Sequence, residues 1–421
     1  MPYKVSSLEG LRETFIDRLS RKLFFSLMQD FKRGKLTLIE KNQQVQLGQS
    51  SKEVSLQATI HVHHPRFYTS TVFGGSIGSA EAYMAGLWST SHLTNVIRLV
   101  ILNRKMMEKM DKHWSWITDP VHKLYHYFRR NTLQGSKENI VAHYDLGNDF
   151  YRLFLDETLT YSCGIFEHEN STLKAASIAK YDRICRKLQL HPEDHVMEIG
   201  GGWGGFAIHA AKHYGCRVTT TTISDKQYAL AEKRIAASGL SHRIRLLCKD
   251  YRHLDGKFDK LVSIEMIEAV GHQYLDTFFQ TCSRLLKDNG MMLLQAITIG
   301  DQVFDTHKRS VDFIKRYIFP GSCIPSIQAM MSAIARKTDL KLFHLEDITP
   351  HYARTLAAWR KRFIDHIDDV REMGFSDTFI RMWEYYLCYC EGSFTERYNG
   401  DVQMLLTKPM CRRQPLLPPL V

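Results

Sequence analysis

No stretch of this 421-residue chain approaches the ~18 continuous apolar residues that a membrane-spanning helix needs, so work on a membrane is expected from its surface. The opening segment also lacks the apolar core of a secretion signal. Lys4, Glu9, Arg12, Glu13, Asp17, Arg18, Arg21 and Lys22 interrupt its apolar residues. The nine cysteines include no paired metal-ligand spacing, and their odd number leaves at least one without an intramolecular partner, which favours a reducing, cytoplasmic setting. Internal repeats and low-complexity tracts are absent too. With 44% hydrophobic and 24% charged residues, the composition excludes a largely disordered chain.

The formal charge of +11 admits nucleic acid, phosphorylated metabolites or an anionic membrane as partners. Basic residues are not interleaved with an aromatic platform, so no nucleic acid is expected. The length implies two domains, which we divide as 1–120 and 121–421. In the first, a helix is expected over 8–31, strands over 36–39 and 54–61, and helices over 80–88 and 93–110. Leu11, Phe15, Leu19 and Leu23 recur at helical spacing and read as core packing. Gly74, Gly75 and Gly78 read as punctuation before the helix over 80–88. The segment 114–135, with Lys123, Arg129 and Arg130, reads as the connection into the second domain.

From about residue 178 the order becomes helix 178–188, strand 195–199, helix 206–214, strand 216–221, helix 226–237, strand 244–248, strand 260–264, helix 274–286 and strand 291–297. Such alternation predicts an α/β domain with a mostly parallel sheet covered by helices. Helical runs follow near 327–336, 355–365 and 379–390, the last either covering a ligand crevice or extending the core. Residues 416–420 read as an irregular tail.

The densest chemical signal is Val196-Met197-Glu198-Ile199-Gly200-Gly201-Gly202-Trp203-Gly204-Gly205-Phe206. A strand passes into a turn almost without side chains, and a helix begins at once. Glycine permits backbone conformations closed to other residues and lets a ligand approach the main chain. The carboxyl end of such a strand is where a nucleoside cofactor binds. Gly200, Gly202 and Gly205 also satisfy a dinucleotide pattern, so a nicotinamide- or flavin-dependent oxidoreductase stays open here. Two features count against it. The next strand ends in threonines up to Thr222 with no acid at its tip, although Asp225 follows shortly after. Glu198 would also place its charge beside a pyrophosphate, whereas a cationic or neutral ligand suits it better.

Further motifs lie in order around this turn. They are His143-Tyr144-Asp145-Leu146-Gly147-Asn148-Asp149-Phe150-Tyr151, Leu159-Thr160-Tyr161-Ser162-Cys163-Gly164-Ile165-Phe166, Thr222-Ile223-Ser224 with Gln227, Asp250-Tyr251-Arg252, and Met266-Ile267-Glu268-Ala269-Val270-Gly271. With them, the chain from about 135 to 406 resembles the cyclopropane-fatty-acyl-phospholipid synthase family and related fatty-acid methyltransferases. The resemblance implies a Rossmann-like class I methyltransferase domain with helical insertions over 121–421. Before it comes a smaller, mostly helical α+β amino-terminal domain, with membrane docking or homodimer formation as its expected role.

The resemblance places Glu198, Gly200, Gly202, Tyr161, Ser162, Thr222, Gln227, Asp250 and Tyr251 around S-adenosylmethionine, with Asp250 and Tyr251 near the adenine. In the family, the alkene of an unsaturated acyl chain attacks the sulfonium methyl. Loss of a proton from the added methyl then closes a cyclopropane ring. A bicarbonate ion is held near this centre, and the matching positions here are Cys163, Glu268, Tyr352 and Gln295. Gln295 departs from the family's histidine; it can donate to an anion but cannot carry a proton's charge. That departure puts both bicarbonate and the product in question, with a methyl-branched chain as the alternative to the ring.

Each residue also has a plain structural reading: a small buried side chain for Cys163, strand propensity for the threonines, a solvated helix face for Gln227, and packing for Tyr352. Glu268 is harder to dismiss, because burying a carboxylate needs compensation. The expected acceptor is an unsaturated phospholipid acyl chain at an anionic membrane surface, reached by transient peripheral association from the cytoplasm. A non-catalytic lipid-binding protein and a methyltransferase for another acceptor remain the other readings.

Overall fold

The computed structural model describes residues 13–105 and 146–416. Several expectations lie outside them: the start of the first helix, Leu11, helix residues 106–110, the connection with Lys123, Arg129 and Arg130, the boundary at 120, His143 to Asp145, and the end of the tail. Among the described residues, one compact unit takes 13–105 with Val311–Ile318 and Leu356–Tyr398. The other takes 146–310, Phe319–Thr355 and 399–416. The second domain expected over 121–421 therefore gives two of its segments to the first unit.

The first unit holds a sheet of β1 (Lys35–Glu40), β2 (Gln43–Leu47), β3 (Gln57–Val62) and β4 (Trp88–Ser89), ordered β2-β1-β3-β4. β1 runs antiparallel to β2 and parallel to β3. Leu36, Thr37 and Leu38 of β1 are all buried, whereas Ala58, Ile60 and Val62 of β3 are buried in alternation along the strand. The helix Phe15–Leu27 starts with a capping box between Thr14 and Asp17. Its inward residues are Asp17, Ser20 and Phe24, not the expected apolar stripe; Phe15 is 79% and Leu19 57% exposed. The Asp17 carboxylate fixes this rotation by accepting from the Thr69 hydroxyl at 2.6 Å.

The glycines expected to interrupt the chain lie inside one helix, Arg66–Met84. Gly75, at φ +55°, kinks it without ending it. Gly78 allows a close approach, since a Cβ there would lie 2.0 Å from the Ser70 carbonyl oxygen. Trp88, expected at a helix end, stands on β4 and donates from Nε1 to the Ser79 carbonyl. The late helix Asp377–Thr395 extends the core of this unit. Its Glu384 accepts from the Tyr83 hydroxyl at 2.7 Å, and Gly392 leaves room for Ile97.

The second unit is built on seven strands: β5 (His195–Ile199), β6 (Arg217–Thr222), β7 (Ile244–Cys248), β8 (Phe258–Ile264), β9 (Leu286–Ile299), β10 (Lys341–Asp347) and β11 (Asn399–Thr407). Their order is β10-β11-β9-β8-β5-β6-β7. β7, β6, β5, β8 and β9 are mutually parallel, and β11 is antiparallel to both β9 and β10. Val196, Leu261, Val262 and Met292 to Leu294 are fully buried, as expected for strands covered on both faces. Strand order reverses between β5 and β8, which opens a crevice at their carboxyl ends. Among the described residues, no helix is long and apolar enough to cross a membrane.

Two of the three glycines of helix Arg66–Met84 predict opposite responses to alanine. Gly78→Ala drives a methyl into backbone and is expected to destabilise by about 1–3 kcal/mol. Gly74→Ala meets nothing within 4 Å among the described residues and is expected to stabilise by about 0.5–1 kcal/mol. Denaturant unfolding of both variants checks the pair; equal shifts would contradict the close approach.

Candidate active site

At the end of β5 the chain turns through Gly200, Gly202 and Gly204, with φ of +89°, +53° and +82°. Gly200 and Gly201 donate to the Thr221 carbonyl on β6, which ties the turn to the sheet. A Cβ on Gly201 would lie 1.9 Å from Thr220 Oγ1, so that face of the turn is closed. Among the described residues a Cβ on Gly202 would meet nothing within 4 Å, so that face is bare main chain. Glu198 stands just before the turn, buried, with Oε2 accepting from Thr220 Oγ1 at 2.6 Å. Burial pushes its carboxyl up to about 7, against the pull of Thr220 and Lys180. Such a turn fits a nucleoside ligand that carries no phosphate.

The side chains of the other expected cofactor residues are already ordered, with Thr222 at the end of β6 and Asp250 just beyond β7. Thr222 Oγ1 donates to Gln227 Oε1 at 2.8 Å, so Gln227 is not the solvated helix residue of its plain reading. Asp250 is held by Arg252, which donates from its backbone, Nε and Nη2 within 2.9 Å. Burial raises the Asp250 carboxyl, but these bonds keep it below its ordinary value. Tyr251 packs edge-on against Phe278 at 5.5 Å. Tyr161 joins an aromatic wall with Tyr151, Phe154 and Phe319. The Ser162 hydroxyl accepts from the buried Lys180 ammonium at 2.7 Å.

The expected catalytic residues converge on a side chain that the sequence reading passed over. Glu265 follows β8 directly and has φ +48°, in the left-handed region that disfavours a side chain. Its Oε1 accepts from the Cys163 backbone N–H at 2.8 Å and from Gln295 Nε2 at 2.7 Å. Its Oε2 accepts from the Tyr352 hydroxyl at 2.6 Å. Glu268 lies one short turn later; its Oε1 accepts from the Ile297 backbone N–H at 2.6 Å. Burial, then the neighbouring Glu265, push the Glu268 carboxyl up to about 8. Asp401 is fully buried on β11, and burial together with Glu265 and Glu268 holds its carboxyl far above the ordinary range. The Cys163 thiol is raised by burial and by Asp401 and Glu265, so this residue contributes its N–H and not a thiolate. Lys180 sits among them, its ammonium lowered to about 8 by burial despite the carboxylates.

A chain of amides fixes which way Gln295 points. Gln295 and Gln403 are paired across β9 and β11. Lys187 can only donate, and its Nζ reaches Gln403 Oε1 at 2.8 Å and Glu346 Oε2 at 2.6 Å. Gln403 therefore offers its Nε2 to Gln295 Oε1, at 3.1 Å, which leaves Gln295 Nε2 facing Glu265. Lysine at one end sets the polarity of the whole line.

These contacts decide how the expected bicarbonate fares. The Cys163 N–H, Gln295 amide and Tyr352 hydroxyl that would hold it are all engaged by Glu265. A further anion would also stand among the Glu265, Glu268 and Asp401 carboxyls. The residues present do not fit that ion. Glu265, Lys180 and Asp401 were missed in the sequence. The one signal available was the spacing of Glu265 and Glu268, two acids three residues apart at the end of a strand.

The family model described as mycolic acid cyclopropane synthetase matches residues 131–404. The chain is 37% identical over 341 residues to the tuberculostearic acid methyltransferase UfaA1 of Mycobacterium tuberculosis, covering 79% of each protein. It is 35% identical over 354 residues to the cyclopropane-fatty-acyl-phospholipid synthase of Escherichia coli, covering 83% of this chain and 87% of that one. The solved cyclopropane synthase MmaA2 of Mycobacterium tuberculosis superimposes with a TM-score of 0.61 at 33% identity, over 65% of this chain and 98% of that one. The mycolic acid cyclopropane synthase CmaA1, solved in complex with SAH and CTAB, gives the same TM-score at 32% identity, covering 65% of this chain and 98% of that one.

The raised Glu268 carboxyl sets a pH dependence of stability. A folded-state value near 8 against 4.5 unfolded means the folded protein holds an extra proton between those values. That stabilisation is complete below 4.5 and is lost as pH rises through 8. Glu268→Gln removes it, so the fall in Tm across this window is expected to be shallower in the variant. Parallel curves for the two proteins would contradict the assignment.

Proposed function

This chain belongs to the mycolic acid cyclopropane synthetase family, and on that premise we propose that it methylates the double bond of an unsaturated phospholipid acyl chain, closing a cyclopropane ring. It is an S-adenosylmethionine-dependent methyltransferase of the class I α/β fold. The observation that carries the reading is a bare glycine turn in the same unit as a buried, hydrogen-bonded carboxylate cluster. S-adenosylmethionine supplies an electrophilic methyl on a sulfonium.

The chain's own residues do the rest. The glycine turn admits the nucleoside, and Glu198 offers a buried carboxyl to a ligand of positive charge. Fully buried Cys163 and Gln295, with Tyr352 only 6% exposed, keep water from a cationic carbon that water would trap. Ring closure then needs a proton acceptor in this dry cluster. A second reading, a methyl- or methylene-bearing chain, is supported by Gln295 and by the name of the UfaA1 relative.

The acceptor is presented, on this reading, at an anionic membrane surface met from the cytoplasm. Support comes from the charge of +11 and from helix Phe15–Leu27, whose Phe15, Ile16 and Leu19 are exposed beside Arg18.

Two experiments test these readings. Purified protein incubated with trideuteromethyl-labelled S-adenosylmethionine and monounsaturated phospholipids is expected to yield a labelled acyl chain that has lost one deuterium. Ring and methylene isomers are separated by chromatography and fragmentation, and a saturated branch is heavier by its added hydrogens. Label absent from every acyl chain would refute the acceptor. Changing Phe15 and Leu19 together to Asp is expected to weaken binding to anionic vesicles at least tenfold, about 1.4 kcal/mol. Unchanged vesicle affinity would remove this helix from the docking surface.

A further inference from the structure

We propose that the Glu265 carboxylate fills the place an added anion would take and is itself the acceptor of the proton released from the transferred methyl. The inference rests on the proposed alkene methylation.

Three observations meet at this residue. First, its two oxygens collect three donors from segments far apart in sequence, at Cys163, Gln295 and Tyr352. That is the bonding of an ionised carboxylate, which can only accept. Second, its backbone lies at φ +48°, where glycine is at ease and glutamate is strained, so the side chain is what the site requires there. Third, among the described residues no other side chain facing it suits the task. Burial and the charge of Glu265 itself hold the Cys163 thiol and the Asp401 carboxyl far above their ordinary values and raise Glu268 to about 8, so these neighbours keep their protons while Glu265, with its three donors, is the charged member of the cluster. Gln295 cannot take a proton, and the Tyr352 hydroxyl donates to Glu265. Lys180 is the neighbouring cation; it compensates a carboxylate better than it receives a proton from carbon.

The chemistry balances without another reactant. The π pair of the alkene forms the new bond to the methyl carbon as the sulfur–methyl bond breaks, its pair remaining on sulfur. A methyl C–H pair then bonds to the cationic carbon and closes the ring, and the proton passes to a Glu265 oxygen. For a methylene product, a hydride first moves from the methylated carbon to its neighbour; the same C–H pair then forms the double bond, and the proton goes to the same place.

Two variants and the unaltered protein test the assignment. Glu265→Gln keeps the size of the side chain; its turnover is expected to fall by about 100-fold or more, with calorimetric affinity for S-adenosylmethionine within about twofold. Glu265→Gly suits the backbone and opens the space, so it is expected to bind isotopically labelled bicarbonate by NMR and to regain turnover as bicarbonate is added. The unaltered protein is expected to bind no bicarbonate and to keep its rate in buffer freed of carbon dioxide. Unimpaired turnover by Glu265→Gln, bicarbonate binding by the unaltered protein, or a folded, donor-binding Glu265→Gly that neither binds bicarbonate nor responds to it would each overturn the proposal. Should the unaltered protein methylate no lipid, the acceptor reading fails, and the bicarbonate arm still decides whether Glu265 occupies the anion's place.

Discussion

A carboxylate inside a protein survives only if donors replace the water it has lost, and the second unit is organised around one such replacement. The donors on Glu265 arrive from the segment before the first helix of the sheet region, from β9, and from the helix that follows β10. Each must be placed within a few tenths of an ångström. The antiparallel β11 serves this end, because it carries Gln403 against Gln295 and Asp401 into the same cluster. Lys187 then fixes the direction of the amides from behind.

The glycine turn answers a different demand. One face is closed by Thr220 against Gly201, and the other is free of side chains at Gly202 among the described residues. A rigid, bare main chain is what a nucleoside ligand needs for close approach. The threonines at the end of β6, which also explain the missing acid there, order Glu198 and Gln227 through hydroxyl bonds. Methyl donor and proton acceptor are thereby prepared by separate devices at the carboxyl ends of neighbouring strands.

Much of the second unit could be read from the sequence because its elements are local. Strand 195–199 and strand 244–248 appear with the expected bounds, and the glycine turn stands between the expected strand and helix. β10 and β11 escaped because antiparallel pairing at the end of the sheet depends on partners far away in sequence. The first helix misled for a related reason: a spacing of apolar residues gives a face, but a single buried acid, Asp17, determined which face turned inward. At the candidate site, Cys163, Tyr352 and Gln295 were proposed through motif resemblance, and the structure brings all three to Glu265. Glu265 was not, since what distinguishes it is a set of contacts that no spacing reveals. The departure at Gln295 was visible, but its meaning was not: the amide is a donor to an internal carboxylate.

The most direct test of that internal carboxylate is its own titration. Protein labelled at glutamate Cδ, with the Glu265 resonance assigned by its disappearance in a Glu265→Gln sample, gives the protonation curve by NMR. The account predicts a midpoint displaced above the ordinary glutamate range, because burial outweighs the bonds from Tyr352, Cys163 and Gln295. A midpoint at or below that range would show that the three donors and Lys180 outweigh burial, and would contradict it.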